Sequence, residues 1–167
     1  KLNAEAIEML LAWEAKDPAV HALWQRMNGW VFKGFDETYA RMGIIFDHLY
    51  YESNTWILGR DLVDQGLKNG SLYKHESGAV MCSLDALKLS PKVLLRSNGT
   101  TLYMTQDLGT AVQRHEELDF DQMIYVVGNE QDHHFKVLFH ILGRLGYKWA
   151  ENLKHYSYGM VNLTSGK

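Results

Sequence analysis

Apolar positions along the first half of the chain recur mainly at helical spacing. Ala6, Ile7, Leu10, Leu11 and Trp13 predict a helix from about Asn3 to Ala15, closed by Asp17-Pro18. Pro18 suits the first turn of a second helix, where a missing N–H leaves no bond unmade, and Val20, Leu23, Trp24, Met27 and Val31 line one face of it. Phe35-Asp36-Glu37-Thr38-Tyr39 reads as the opening of a further short helix with Asp36 as its cap, before Ile44–Phe46 turns extended. Asn54 caps another helix through Leu67, which Lys68-Asn69-Gly70 stops. Leu72–Lys74 and Ala79–Cys82 then pair as a small hairpin around Glu76-Ser77-Gly78, and Asp85–Leu89 is a connector whose pattern does not choose a state.

After Pro91 the pattern becomes mixed. Val93–Leu95 leads to Asn98-Gly99, a common hairpin turn, so Thr100–Met104 reads as a returning strand with Tyr103 near its end. Thr105 is the expected N-cap of a helix to about Glu117, which places Asp107 in the first turn beside the positive end of the dipole. Met123–Val127 is an apolar run of strand length, and Gly128-Asn129-Glu130-Gln131-Asp132-His133-His134 follows it before a helix to about Leu145. Strand, glycine, polar cluster and helix form the kind of junction at which α/β proteins bind ligands. Pro91 marks a soft division between a mainly helical region, 1–91, and an α/β region, 92–167.

Composition narrows the class. A chain of 167 residues with 46% hydrophobic content can bury one sizeable core. Lone Cys82 excludes an internal disulfide and fits a reducing, cytoplasmic compartment. No apolar run reaches the roughly 18 residues that cross a bilayer, so no membrane partner is expected. With 17 basic against 20 acidic residues the chain has no overall basic footprint for nucleic acid. It begins at Lys1 rather than Met and reads as an excerpt cut at both ends.

Three segments carry a resemblance to a known family. Leu95–Asp107, Ile124–His134 and Tyr158–Val161, with Gly43–Asp47 and Tyr51-Glu52-Ser53 before them, resemble arginyl-tRNA synthetase, a class I aminoacyl-tRNA synthetase. The resemblance implies an α/β fold in which the second half of a Rossmann-like nucleotide-binding domain follows a helical connective region with a small β-hairpin. It implies a parent enzyme that activates arginine with ATP, assisted by Mg2+, and transfers the arginyl group to tRNA(Arg). Neither class I signature is present: no His-x-Gly-His occurs, and the chain stops at Lys167, about where a Lys-Met-Ser-Lys-Ser-like loop would begin. The chain by itself is therefore expected to be inactive.

Each candidate residue has two readings. Without the resemblance, Asp107 is an ordinary helix-start acid, Tyr103 a strand aromatic and Gln131 an exposed first-turn side chain. The resemblance makes all three arginine-binding, with Asp107 receiving the guanidinium, because a carboxylate accepts two parallel bonds from that planar fork. Gly128 reads as a turn glycine, and the resemblance adds close approach of adenosine. It likewise gives Glu130 to ribose hydroxyls, His134 to nucleotide contact or loop support, and Met160 and Val161 to adenine. A metal site is not expected: His133 and His140 lie two helical turns apart, about 10 Å, whereas zinc takes ligands at about 2 Å. Ser77 and Ser157 lack a nucleophile-elbow context. Trp13, Trp24 and Trp30 read as core packing. Two rival functions stay open, another class I synthetase and a non-catalytic nucleotide-binding or interaction domain.

Overall fold

A computed structural model describes residues 2–55, 57–160, 162 and 164. The chain divides into two compact units, 1–49 and 50–167. In the first, α1 (Leu2–Glu14) and α2 (Pro18–Met42) are consecutive helices joined at Asp17, whose carboxylate accepts the N–H groups of Ala19 and Val20 while Pro18 opens α2. His21 stacks on Trp13 at 5.3 Å and Trp24 closes the cluster edge-on, as expected of packed tryptophans. Trp30 is different: it is exposed, with the Arg26 guanidinium over its ring at 5.6 Å. No separate helix begins at Asp36. The helix runs on through it because neither Gly29 nor Gly34 breaks the backbone ladder, and it ends only where Gly43 takes φ +69°. Ile44–Phe46 forms no strand.

The second unit is mixed α/β. A short helix, α3 (Glu52–Thr55), precedes α4 (Leu58–Lys68), which begins at Leu58 rather than behind an Asn54 cap. Gly59, Leu62, Val63 and Gly66 are its buried face, at helical spacing, and Lys68-Asn69-Gly70 ends it as expected. β1 (Tyr73–Lys74) and β2 (Val80–Leu84) pair antiparallel across a turn in which Gly78 has φ +88°, and β3 (Leu89–Leu95) pairs with β2 on its other side. Along β2, Val80, Cys82 and Leu84 point into the core, the period of a half-buried strand. Pro91 lies within β3, opposite a register shift between Cys82 and Leu84; an irregularity of this kind accommodates a residue that cannot donate to the ladder.

Thr100–Met104 forms no returning strand. Asn98 accepts the N–H of Thr100 through its side chain, Gly99 takes φ +81°, and only one bridge, Leu95 to Thr101, forms before α5 (Tyr103–Leu118) begins. Thr105 does not cap this helix. It is fully buried in the third helical position, and its hydroxyl donates to the Leu94 carbonyl at 2.5 Å, pinning α5 to the end of β3. The cap position belongs to Leu102, so Thr105 stands inside the helix and its hydroxyl donates to the buried carbonyl.

β4 (Met123–Gly128) and β5 (Leu153–Tyr158) pair in parallel in unbroken register from Met123–Leu153 to Gly128–Tyr158, and α6 (Asp132–Arg144) joins them after one turn of 3₁₀ helix at Asn129–Gln131. Phe135, Val137, Leu138, Ile141 and Leu142 of α6 are buried, each contributing about 1.5–3 kcal/mol by leaving water. Met123, Tyr125 and Val127 pack on this core, whereas Ile124 and Val126 of β4 and Tyr156 and Tyr158 of β5 are exposed. Among the described residues no helix is long and apolar enough to cross a membrane.

Helices α4 and α5 meet through glycines. A Cβ on Gly109 would stand 2.5 Å from the Gly59 nitrogen and 2.7 Å from the Leu58 carbonyl carbon, backbone atoms that cannot swing aside. Gly109→Val is therefore expected to force the helices apart and cost about 1–3 kcal/mol. A urea or thermal melt checks this, and an unfolding midpoint equal to the parent's refutes the close approach.

Candidate active site at the start of α5 and α6

β4 delivers its last residue, Gly128, to a buried position with φ −61° and ψ 156°, an extended conformation that any residue adopts. Glycine is needed here for space. Glu130 folds back so that its carboxylate covers the Gly128 Cα, with Oε1 2.7 Å from where a Cβ would sit. Glu130 and Gln131 are both exposed on the 3₁₀ turn, and α6 then starts at Asp132.

The same end of the unit carries the start of α5. Tyr103 is the first residue of that helix rather than a strand end, and its ring is 75% exposed. Asp107, expected in the first turn, is the fifth helical residue, because the helix begins two residues before Thr105. It is displaced from the orphan N–H groups of the helix start, so the dipole accounts for less of its placement. Residues four apart share a helix face, which puts Tyr103 and Asp107 side by side along α5. His134, in the first turn of α6, donates from Nε2 to Asp107 Oδ2 at 2.7 Å. This bond brings together two residues that the sequence reading gave to different ligands.

Other candidates stand nearby in the chain. β5 ends opposite Gly128, and exposed Met160 follows it by two residues; Val161 lies outside the described residues. One supporting residue escaped the sequence reading. His155 on β5 has a 9% exposed side chain, donates from Nε2 to the Val127 carbonyl at 2.9 Å, and holds Nδ1 3.3 Å from Asp132 Oδ1. It thereby ties β5 to both ends of the strand-to-helix turn, and only its position in the parallel register could have revealed this. Phe135 packs against its ring at 4.5 Å. Among the described residues no group of three or more His, Cys, Asp or Glu side chains is placed to hold a metal ion.

The comparison with known proteins bears directly on this arrangement. A family model described as the catalytic domain of class I tRNA synthetases of the arginine type matches residues 1–167. The chain belongs to the class I arginyl-tRNA synthetase family. It is 56% identical over 168 residues to an arginine-tRNA ligase of Treponema denticola and 55% identical over 166 residues to one of Bacteroides fragilis, covering 100% and 99% of this chain and 28% of each relative. It thus spans little more than a quarter of the length of these curated relatives. The fold of the arginyl-tRNA synthetase from Plasmodium falciparum superposes with a TM-score of 0.80 at 21% identity, over 92% of this chain and 27% of that one. That of Thermus thermophilus gives 0.63 at 18% identity, over 96% and 37%.

Burial pushes the Tyr125 phenol up to about 12; the nearby Arg114 charge opposes the shift and the Asp107 charge adds to it. The folded-state value lies above the ordinary phenol value of 10.0, so folding favours the neutral phenol. This contribution is fully present below pH 10 and is lost as pH rises through 10 toward 12, to a limit of about 2–3 kcal/mol. Urea melts over that range are expected to show a shallower loss of stability for Tyr125→Phe than for the parent. Identical slopes would mean that Tyr125 ionises as freely in the folded state as in the unfolded one.

Proposed function

We propose that this chain forms part of an arginine-tRNA ligase that joins arginine to ATP as arginyl-adenylate, releases pyrophosphate, and passes the arginyl group to the terminal ribose of tRNA(Arg). One observation carries the arginine assignment. Asp107 presents a half-exposed carboxylate one helical turn from an exposed tyrosine, and a neighbouring imidazole holds it in place. An anionic, planar acceptor beside an aromatic face suits a guanidinium, which bonds in parallel to both oxygens and stacks on rings. In this reading Tyr103, Asp107 and Gln131 receive the amino acid.

Nucleotide binding falls to the strand tips. Gly128 leaves room for adenosine, Glu130 accepts ribose hydroxyls, and Met160 and Val161 meet adenine. ATP enters as its magnesium complex, a substrate. The arginine carboxylate attacks the α-phosphate, so no covalent protein nucleophile is required and catalysis rests on positioning and charge stabilisation. Groups acting on the triphosphate belong to the two signatures this sequence lacks, and the 167-residue chain alone is inactive in this reading. Residues 92–167 act as the second half of a Rossmann-like domain, with 1–91 as the connective region. The apolar outer face of β4 and β5 supports this, because parallel sheets are ordinarily covered on both faces. The proposed compartment is the cytoplasm.

In the full-length ligase, Asp107→Asn retains shape but removes the charge and one of the two parallel acceptors. Truncating one partner of a charge pair that the bound ligand covers costs about 2–5 kcal/mol, or roughly 30-fold to several thousandfold in arginine affinity. Arginine and ATP constants measured side by side are expected to separate, ATP changing far less, and normal arginine kinetics would place the guanidinium elsewhere.

Gly128→Val tests the nucleotide side. The negative φ leaves the backbone unstrained, and the three atoms nearest the new Cβ all belong to the flexible Glu130 carboxylate. The expected outcome is a raised KM for ATP with a nearly unchanged melting temperature. Unaltered ATP dependence in the folded variant removes Gly128 and the displaced Glu130 from the site.

A further inference from the structure

We infer that His134 is the positioning residue for Asp107, and so belongs to amino-acid recognition rather than to nucleotide binding. The inference rests on the reading that Asp107 receives the guanidinium. A carboxylate on an exposed helix face rotates freely about its side-chain bonds, and bidentate pairing requires its plane to be fixed before the ligand arrives. The α5 helix itself supplies no such restraint. α6 does: Nε2 of His134 meets Asp107 Oδ2 at 2.7 Å, the length of a charge-assisted bond.

Exposure shows which partner faces the ligand. The His134 side chain is 22% exposed and that of Asp107 48%, so the imidazole is the inner of the two. The His134 ring stands edge-on to Phe135 at 5.6 Å, and Phe135 is buried in the core, which restrains the ring from the α6 side. A carboxylate oxygen has two acceptor sites. With one site of Oδ2 taken by His134, Oδ2 retains one and Oδ1 both, enough for the two parallel N–H groups of a guanidinium fork. His134 therefore orients the acceptor without consuming it. Gln131 lies three residues earlier in the same strand-to-helix turn, so this one bond also sets the α5 acceptor relative to the segment that carries Gln131.

The test uses the full-length ligase with His134→Ala, His134→Gln and Asp107→Asn. Steady-state constants for arginine and for ATP are measured together with a thermal melt. His134→Ala is expected to raise the KM for arginine roughly tenfold or more, with kcat and the KM for ATP altered much less. His134→Gln, which keeps an N–H donor at similar reach, is expected to recover most of the loss. A rise in the KM for ATP alone would overturn the inference and return His134 to the nucleotide set. Unchanged constants, or a loss in both substrates that follows the melting temperature and is not recovered by glutamine, would overturn it too. Asp107→Asn separates the two levels: if it raises the KM for arginine while His134→Ala does not, only the positioning role fails, and if neither does, the arginine pocket itself has been misplaced.

Discussion

Parallel strands cannot be joined by a tight turn; they need a crossover, and in this chain the crossover is what builds the candidate site. β4 and β5 pair in register over their full length, and α6 returns the chain between them by burying five apolar side chains against the core. The segment from Gly128 to Gln131 is consequently held at both ends, by the last rung of the sheet and by the first turn of a well-packed helix. Polar side chains there project from a rigid support rather than from a loose loop.

A second support comes from α5. It is fastened below by the Thr105 hydroxyl on the Leu94 carbonyl and by glycine contacts with α4, and across its exposed face by the His134 bond to Asp107. These attachments differ in kind. The first two are buried and serve stability, whereas the third lies at the surface, where hydrogen bonds add little to folding but do fix geometry. A half-exposed hydrogen bond at the meeting of two helix starts is better explained by what it orients than by what it holds together.

Sequence reading located the β4 strand, the strand-to-helix turn, α6, the hairpin of β1 and β2, and the helix boundaries at Pro18 and Lys68-Asn69-Gly70. It misjudged the approach to α5. Asn98-Gly99 is a strong hairpin signal, and the turn does form, yet the return is a single bridge because Leu102 already adopts the extended conformation that precedes a helix. Thr105 looked like a cap because a threonine before an apolar helical run usually is one. The helix instead starts two residues earlier, at Tyr103, and the Thr105 hydroxyl donates to the Leu94 carbonyl, eleven residues back on β3. Similarly, Asp36 resembles a helix start only if the preceding helix has stopped, and nothing in that stretch stops it.

Local chemistry thus determined what the sequence alone could decide. Period, proline, glycine and turn residues act within a few positions, so element types and most of their ends were legible, as was the family through its runs of matching residues. Which polar groups meet was not. His134 and Asp107 stand 27 residues apart, and His155 and Val127 stand 28 apart, and each pair forms only because two helices or two strands pack in one particular register. Hydrophobic burial sets that register, with no regard to the polar atoms it brings into contact, and so the tertiary structure alone decided that the His134 imidazole meets the Asp107 carboxylate.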